Sequence, residues 1–219
     1  MSITQRLNQI VETLPPQVTL VAVSKTKSES EITEAYAAGQ RIFGENKVQE
    51  LVRKWEVLPK DIQWHMIGHL QRNKVKYIAG FVALIHGVDT LRLLREVDKR
   101  GAQEGRIIPC LLQVHIAQEA TKFGFDKAEL TQAMDIIDQG ELSHVQVRGL
   151  MGMATYTDSA PQIRAEFQYL KSLYDTFQTG REAFDTLSMG MSGDYLLAIE
   201  QGSTMVRLGS SIFGSRNTA

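Results

Sequence analysis

Lys25 is the residue whose chemistry stands out first, because it closes the apolar run VTLVAVSK at residues 18–25. Burial lowers the pKa of a lysine and frees its lone pair to attack a carbonyl, as formation of a Schiff base requires. A lysine at the end of an apolar strand can also extend its ammonium group into water. The position alone leaves both interpretations open, a carbonyl-binding amine and a solvated charge.

Two glycine- and serine-containing segments near the C-terminus are typical of anion sites. Ser192-Gly193 precedes a helical pattern, where backbone N–H groups lack intrahelical partners and the helix dipole favours a negative ligand. Gly209-Ser210-Ser211 offers a second set of donors, since glycine lets a ligand approach the backbone closely. The alternative for each segment is an ordinary turn.

Arg207 lies two residues before Gly209 in the last apolar run, so the alternation of a strand puts both residues on one face. If Gly209 lines a pocket, we expect Arg207 to line it too. A buried arginine needs an acceptor, and the alternative to a ligand is an internal ion pair with Glu45, Asp89 or Asp194.

Other chemical motifs find little support. His65 and His69 have the spacing of zinc ligands on a helix, but their segment has the pattern of a strand that enters a loop. No third ligand stands at a useful spacing, so no metal is predicted. The sequence contains neither a G-x-S-x-G elbow nor a P-loop.

The elements that must position these residues alternate along the whole chain. An amphipathic helix is predicted over residues 1–16, and helical patterns separate eight strand-like runs, one with a capping box at Ser28 and Glu31 and another through residues 75–81. The eight runs lie at residues 18–25, 41–46, 62–68, 83–89, 108–116, 145–153, 184–191 and 204–214.

This alternation predicts parallel strands joined by crossover helices, in an open doubly wound sheet or a closed barrel. No G-x-G-x-x-G follows the first strand, and eight units favour the barrel. The predicted fold is therefore α/β, a single (β/α)₈ TIM barrel with an extra N-terminal helix, in one domain over residues 1–219. Phosphate sites in such barrels frequently follow strands seven and eight, so Lys25 and the two anion segments should meet at one end.

Composition excludes several classes of function. The formal net charge of -1, with 22% charged residues, gives no electrostatic footprint for nucleic acid or acidic membranes. The single cysteine, Cys110, excludes an intramolecular disulfide framework. No apolar run approaches the roughly 18 residues of a membrane span, and no signal-peptide pattern opens the chain. We expect a cytoplasmic protein, and a monomer, since no long apolar stripe is left over.

Six separated segments, in order, resemble the pyridoxal 5′-phosphate (PLP) homeostasis protein family, often called YggS-like, and most of all its cyanobacterial members. The family is similar in fold to the N-terminal barrel of alanine racemase, the fold-type III PLP proteins. One departure is His69, where many relatives have proline. The segments are AVSKTK (22–27), FGENKVQE (43–50), WHMIGHLQRNK (64–74), RGLMGMAT (148–155), LSMGMSGD (187–194) and GSTMVRLGSSIFGSR (202–216).

The resemblance implies a role for each motif residue. Lys25 would form the imine with PLP, Arg207 would face the pyridine nitrogen, and Asn46 would lie against the ring. Ser192, Gly209 and Ser210 would contact the phosphate. The expected cofactor-binding residues are therefore Lys25, Asn46, Ser192, Gly193, Arg207, Gly209 and Ser210, and no catalytic residue is assigned.

The resemblance also implies a function, the homeostasis of PLP (vitamin B6) and of amino and keto acids, with PLP held as an internal aldimine and no dedicated reaction. An arginine at the pyridine nitrogen weakens PLP as an electron sink. Racemases of this fold take a second base from an additional β-domain, which we do not expect in a sequence that ends shortly after the eighth strand. Two alternatives stay open, a small fold-type III enzyme such as an amino-acid racemase and an interaction module. The expected partners are PLP and PLP-dependent apo-enzymes or regulatory proteins.

Overall fold

Eight parallel strands close into a barrel in the computed structural model, which describes residues 1–119 and 123–214. Each strand pairs with its sequence neighbours, and β1 also pairs with β8, so the predicted barrel is confirmed over the open sheet. The strands are β1 (Thr19–Val23), β2 (Ile42–Glu45), β3 (Gln63–Met66), β4 (Leu84–Val88), β5 (Ile108–Gln113), β6 (Val145–Met151), β7 (Thr186–Met191) and β8 (Met205–Leu208).

Helices surround the barrel, and the extra N-terminal helix is present. The predicted capping box of Ser28 and Glu31 forms at the start of α2, with both reciprocal hydrogen bonds made. The helices are α1 (Ile3–Thr13), α2 (Glu29–Ala37), α3 (Val48–Val57), α4 (Leu91–Glu104), α5 (Lys127–Asp138), α6 (Ala160–Gln178), α7 (Tyr195–Glu200) and α8 (Ser210–Phe213), with a 3₁₀ helix at Arg72–Tyr77.

Two sequence predictions of element type were wrong. The helix expected through residues 75–81 is a 3₁₀ helix over Arg72–Tyr77, whose tighter turns are closed by bonds such as Ile78 N–H to the Val75 carbonyl at 3.1 Å. The eighth apolar run is a strand only to Leu208. It then turns into α8, where the Phe213 N–H donates to the Gly209 carbonyl at 2.9 Å.

Most of the apolar core lies between the strands and the helices, but the barrel interior contains a polar layer. A smaller apolar cluster inside the barrel includes Val21, Leu111 and Met151. The polar side chains that the described strands bury toward the barrel interior are His65, His86, Gln113, Thr186, Ser188 and Arg207, whereas Glu45 faces α3 and pairs with Lys54. Such groups are retained in a core only with hydrogen-bond partners, so this layer is where functional chemistry should be sought.

Two short stretches lie outside the described residues, 120–122 and 215–219. The predicted domain over residues 1–219 and the resemblance segment 202–216 both extend into the second stretch. Within the described residues, no helix has the length and apolar character needed to cross a membrane.

Candidate functional site

A cavity of about 480 Å³ opens at the C-terminal end of the barrel, and we call it the mouth cavity. The prediction that the two anion segments and Lys25 meet at one end is confirmed, as is the shared orientation of Arg207 and Gly209. All seven residues singled out from the sequence line this cavity: Lys25, Asn46, Ser192, Gly193, Arg207, Gly209 and Ser210.

Lys25 sits in a tight turn that follows β1. The turn is closed by the Lys27 N–H, which donates to the Ser24 carbonyl at 3.0 Å. Thr26 adopts a φ of 63°, a left-handed conformation that is uncommon for a β-branched residue. The Thr26 N–H donates to Glu50 Oε1 at 2.6 Å, which helps to hold this conformation. Lys25 is therefore presented at the cavity, half-buried, by a strained and pinned backbone.

A buried charge network lies directly behind that turn. Lys54 Nζ donates to Glu45 Oε1 at 2.8 Å, to Glu50 Oε1 at 2.7 Å and to the Ser24 carbonyl at 2.7 Å. The Ser24 hydroxyl donates to Glu45 Oε1 at 2.6 Å. Burial raises the pKa of the Glu45 carboxyl, and the neighbouring Lys54 ammonium opposes that rise. The network fastens β1, β2 and α3 together on both sides of Lys25.

Asn46 is positioned by backbone packing at the end of β2. A Cβ atom on Gly68 would lie 2.5 Å from the Asn46 carbonyl oxygen, so only glycine lets the two loops approach this closely. The contact brings Asn46 and Ile67 to the same wall of the mouth cavity.

The opposite wall is built from hydroxyl and backbone groups. Ser192 Oγ accepts hydrogen bonds from the backbone N–H groups of Gly209 at 3.2 Å and Ser211 at 3.4 Å. Two amides that follow β8, those of Gly209 and of Ser211 in α8, thus converge on one oxygen from the loop after β7. A phosphate oxygen accepts hydrogen bonds in the same way, so this wall has the donor chemistry of an anion site. We call it the anion wall, and it is formed by Ser192, Gly209, Ser210 and Ser211.

Arg207 forms the base of the cavity and is 4% exposed. Its guanidinium donates to Ser188 Oγ at 2.6 Å and to the Gly152 carbonyl at 3.0 Å. Neither acceptor is a carboxylate, so these two hydrogen bonds are not the internal ion pair that the sequence left open as an alternative. Burial lowers the pKa of Arg207 to about 10, and the charge of Asp194 partly offsets this. The group remains cationic at neutral pH.

The two histidines with zinc-like spacing are separated in the structure. His69 stacks on Phe123, with ring centroids 3.9 Å apart, and its Nδ1 lies 2.9 Å from Asp89 Oδ2. His65 lies inside the barrel. No cluster of three or more candidate metal ligands occurs in the part of the chain that the structure describes.

Sequence reasoning missed several residues of the site. Met153 and Tyr156, which follow β6, also line the mouth cavity. The Lys54 network was missed as well, although its signal was available. Lys54 falls three residues after Leu51 on the apolar face of α3, where a lysine must either be paired or leave the core.

Comparison of the sequence with known families agrees with the geometry. A family model described as "Alanine racemase, N-terminal domain" matches residues 1–217. A protein of Aquifex aeolicus named pyridoxal phosphate homeostasis protein is 40% identical over 199 residues, which are 90% of this chain and 86% of that protein. A protein of the same name from Synechocystis is 38% identical over 212 residues, covering 95% and 96%.

Solved structures of similar fold fall into two groups. PipY of Synechococcus elongatus with PLP bound has a TM-score of 0.86 and 37% identity, over 97% of this chain and 100% of that one. Alanine racemase of Streptomyces coelicolor has a TM-score of 0.81 at 16% identity, over 98% of this chain and 58% of that one, a likeness of fold alone.

Proposed function

This chain belongs to the family of pyridoxal phosphate homeostasis proteins, and from that premise we propose that it binds PLP reversibly in the mouth cavity. Its proposed role is the homeostasis of PLP and of amino and keto acids. The observation that carries the proposal is the meeting of Lys25 with two converging backbone N–H groups and a buried arginine at one cavity.

The chemistry of the cavity fits each part of that ligand. Lys25 supplies an amine for the aldehyde, and Gly209, Ser210 and Ser192 supply donors for the phosphate. Asn46 would lie against the ring, and Arg207 would meet the pyridine nitrogen. When bound, PLP supplies a reactive carbonyl and a conjugated ring that can accept electrons.

Arg207 also bears on whether a dedicated reaction occurs. Since its guanidinium stays cationic, a ring nitrogen beside it would remain unprotonated, and the ring would draw electrons weakly. Relatives at about 40% identity are named as homeostasis proteins rather than as enzymes. We propose a carrier or regulator without its own substrate turnover, whose partners are PLP-dependent apo-enzymes or regulatory proteins.

The rim of the cavity suits exchange of the ligand with solvent. Tyr156 is 97% exposed, and Ser210 is also exposed. Water can therefore reach the lysine, and attachment through a carbonyl–amine linkage is reversible by hydrolysis.

The decisive experiment is an absorbance spectrum of the purified full-length chain with PLP, before and after borohydride. We expect a yellow protein whose imine absorbance band is bleached by borohydride. Mass spectrometry should then locate the reduced pyridoxyl group on Lys25. Lys25→Ala should remove the band and keep the circular dichroism of the fold. Lys27→Ala is the matched control, because Lys27 lines the same cavity but pairs with Glu31 at 3.1 Å. A label on Lys27, or no band at all, would refute the proposal.

A second candidate, a small racemase-like enzyme, is favoured by the shared fold with alanine racemases. Proton exchange at the α-carbon of single amino acids in D₂O distinguishes the two. Exchange that depends on Lys25 would favour the enzyme. We expect none above the rate of free PLP.

A further inference from the structure

A second cavity lies at the opposite end of the barrel. It has a volume of about 280 Å³, and we call it the floor cavity. The residues around it stand where strands begin, including Thr19 of β1, Gln63 of β3 and Thr186 of β7. His65 of β3 also lines the floor cavity, although it is only 4% exposed.

Four side chains connect the two cavities through the barrel interior. His65 Nδ1 lies 3.0 Å from His86 Nε2, and His86 Nδ1 lies 3.1 Å from Ser188 Oγ. Ser188 Oγ accepts from Arg207 at 2.6 Å. His86 and Ser188 are fully buried, and the ends of the row, His65 and Arg207, line the floor and mouth cavities. We call this row the transbarrel chain.

Hydrogen-bond chemistry gives the transbarrel chain one direction. A guanidinium has no acceptor, so Arg207 must donate to Ser188. Among the described residues, the Ser188 hydroxyl has only one other partner, His86 Nδ1, so its own proton is used only if it donates there. His86 must then carry its proton on Nε2 and donate to His65 Nδ1. His65 in turn presents an Nε2–H to the floor cavity.

Burial keeps both imidazoles neutral, which this direction requires. It lowers the pKa of His65 to about 3 and that of His86 well below the usual range. Each ring therefore holds one proton at neutral pH, and one nitrogen is left to accept. The opposite tautomers would leave the buried Ser188 proton without an acceptor, which is unfavourable in a site closed to water.

We propose that Ser188, His86 and His65 are positioning residues for Arg207, and that the transbarrel chain couples its guanidinium to the floor cavity. The transbarrel chain holds the Arg207 guanidinium at the mouth cavity, with a fixed order of hydrogen-bond donors. A group in the floor cavity that accepts from His65 Nε2–H reinforces this order, and one that donates opposes it. The existence of the transbarrel chain is independent of PLP, whereas its effect on a bound ring rests on the proposed function.

The test that needs no PLP is ¹⁵N NMR of the histidine-labelled full-length chain, with signals assigned by His→Asn variants. Both His65 and His86 should be protonated at Nε2. Ser188→Ala should release the tautomer of His86 and shift the ring nitrogens of His65. The matched control is Ser203→Ala, which removes another buried hydroxyl bonded to β7 and β8, at 2.8 Å from the Met189 carbonyl and 3.1 Å from that of Met205.

The outcomes are distinct. A proton on Nδ1 of either histidine in the wild-type chain would overturn the proposal. So would a His65 response to Ser188→Ala no larger than that to Ser203→Ala, provided circular dichroism shows that both variants fold.

A second measurement tests the positioning of Arg207 toward a bound ring. The PLP occupancy of each variant is measured by mass spectrometry on a separate sample reduced with borohydride. At equal occupancy, Ser188→Ala should shift the absorbance maximum of the unreduced, PLP-loaded protein, and Ser203→Ala should leave it in place. Identical maxima would overturn the positioning role. If no band forms in the wild-type chain, the proposed function fails, and the NMR result still decides whether the transbarrel chain exists.

Discussion

Two buried cations lie at the mouth cavity, Lys54 behind its wall and Arg207 at its base, and their surroundings are opposite. Lys54 is fully buried and bonds to two carboxylates, those of Glu45 and Glu50. Arg207 is nearly as buried but bonds to a hydroxyl and a backbone carbonyl, both neutral. One charge is balanced by bonded carboxylates, whereas the other bonds to neutral acceptors and the charge of Asp194 only partly offsets its burial.

The difference assigns the two cations different work. A buried charge that is paired stabilises its surroundings only while both partners remain, so Lys54 acts as a clamp on the turn that carries Lys25. A buried charge held by neutral groups retains most of its field for whatever enters the cavity. We therefore propose that Lys54 is a structural cation beside the amine and that Arg207 directs its charge toward a ligand in the mouth cavity.

The largest expected effect comes from breaking the balanced cation. Lys54→Met leaves the Glu45 carboxylate buried without its partner, and we expect the free energy of unfolding to fall by about 3–5 kcal/mol. Urea denaturation measures this loss. Arg53→Met is the control, because Arg53 is the preceding residue of α3 and forms an exposed pair with Glu29 that should contribute less than about 1 kcal/mol. Equal losses in the two variants would contradict the role of Lys54.

The double variant Lys54→Met/Glu45→Met sharpens the same test. It replaces both charges by apolar groups, and so it should recover much of the stability lost in the single variant. The single variant Glu45→Met completes the comparison. If the double variant loses as much stability as Lys54→Met and Glu45→Met lose together, side-chain shape rather than charge balance makes the network important.

A smaller effect is expected from acid on the neutral surroundings of Arg207. Above pH 6.5, His65 and His86 are neutral both folded and unfolded. Below it, the unfolded chain takes up protons that the folded chain refuses, down to about pH 3 for His65. Stability should therefore fall as the pH falls, by about 1.4 kcal/mol per pH unit for each histidine.

Urea denaturation between pH 6.5 and 5 checks this slope against variants. His65→Asn should flatten it by about 1.4 kcal/mol per pH unit, because the carboxylates that also titrate are common to both proteins. The control is His144→Asn, which makes the same replacement outside the barrel interior and against which the change in slope for His65→Asn is judged. If the slope of His65→Asn is unchanged, the histidine takes up its proton while folded.

The smallest effect concerns the anion wall itself. Ser210→Asp adds a negative charge at an exposed position on the rim, where solvent and salt screen it. We expect PLP affinity, measured by absorbance titration, to weaken several-fold, about 1 kcal/mol. Ser210→Asn is the control, because it has a similar size to Asp without the charge, and it should bind PLP more tightly than Ser210→Asp. Equal affinity of the two variants would mean that the phosphate binds elsewhere.

The sequence predicted the barrel and six of the seven cavity residues because these leave local signals, whereas the role of Asn46 was implied only by the family resemblance. Apolar runs between helical patterns specify parallel strands, and in a closed barrel every such strand ends at the same rim. Lys25 follows β1, Ser192 follows β7 and Gly209 follows β8, each within two residues of the end of its strand. Their meeting therefore follows from the topology alone.

The partners inside the barrel could not be predicted because they depend on contacts between distant residues. His86 and Ser188 are 102 positions apart, and no periodicity links them. The error in the last apolar run has a similar cause. Nothing local distinguishes the strand through Leu208 from the helix that follows, where the Ser211 amide is turned toward Ser192.

The hydroxyl of Ser192 takes the place of a ligand oxygen at the anion wall. It already accepts hydrogen bonds from the amides of Gly209 and Ser211, so these donors are satisfied without a bound anion. An arriving anion would exchange one oxygen for another rather than organise a disordered segment. Binding and release of PLP should then leave the backbone almost unmoved. A partner protein that distinguishes the PLP-bound form from the PLP-free form would therefore have to contact the ligand itself.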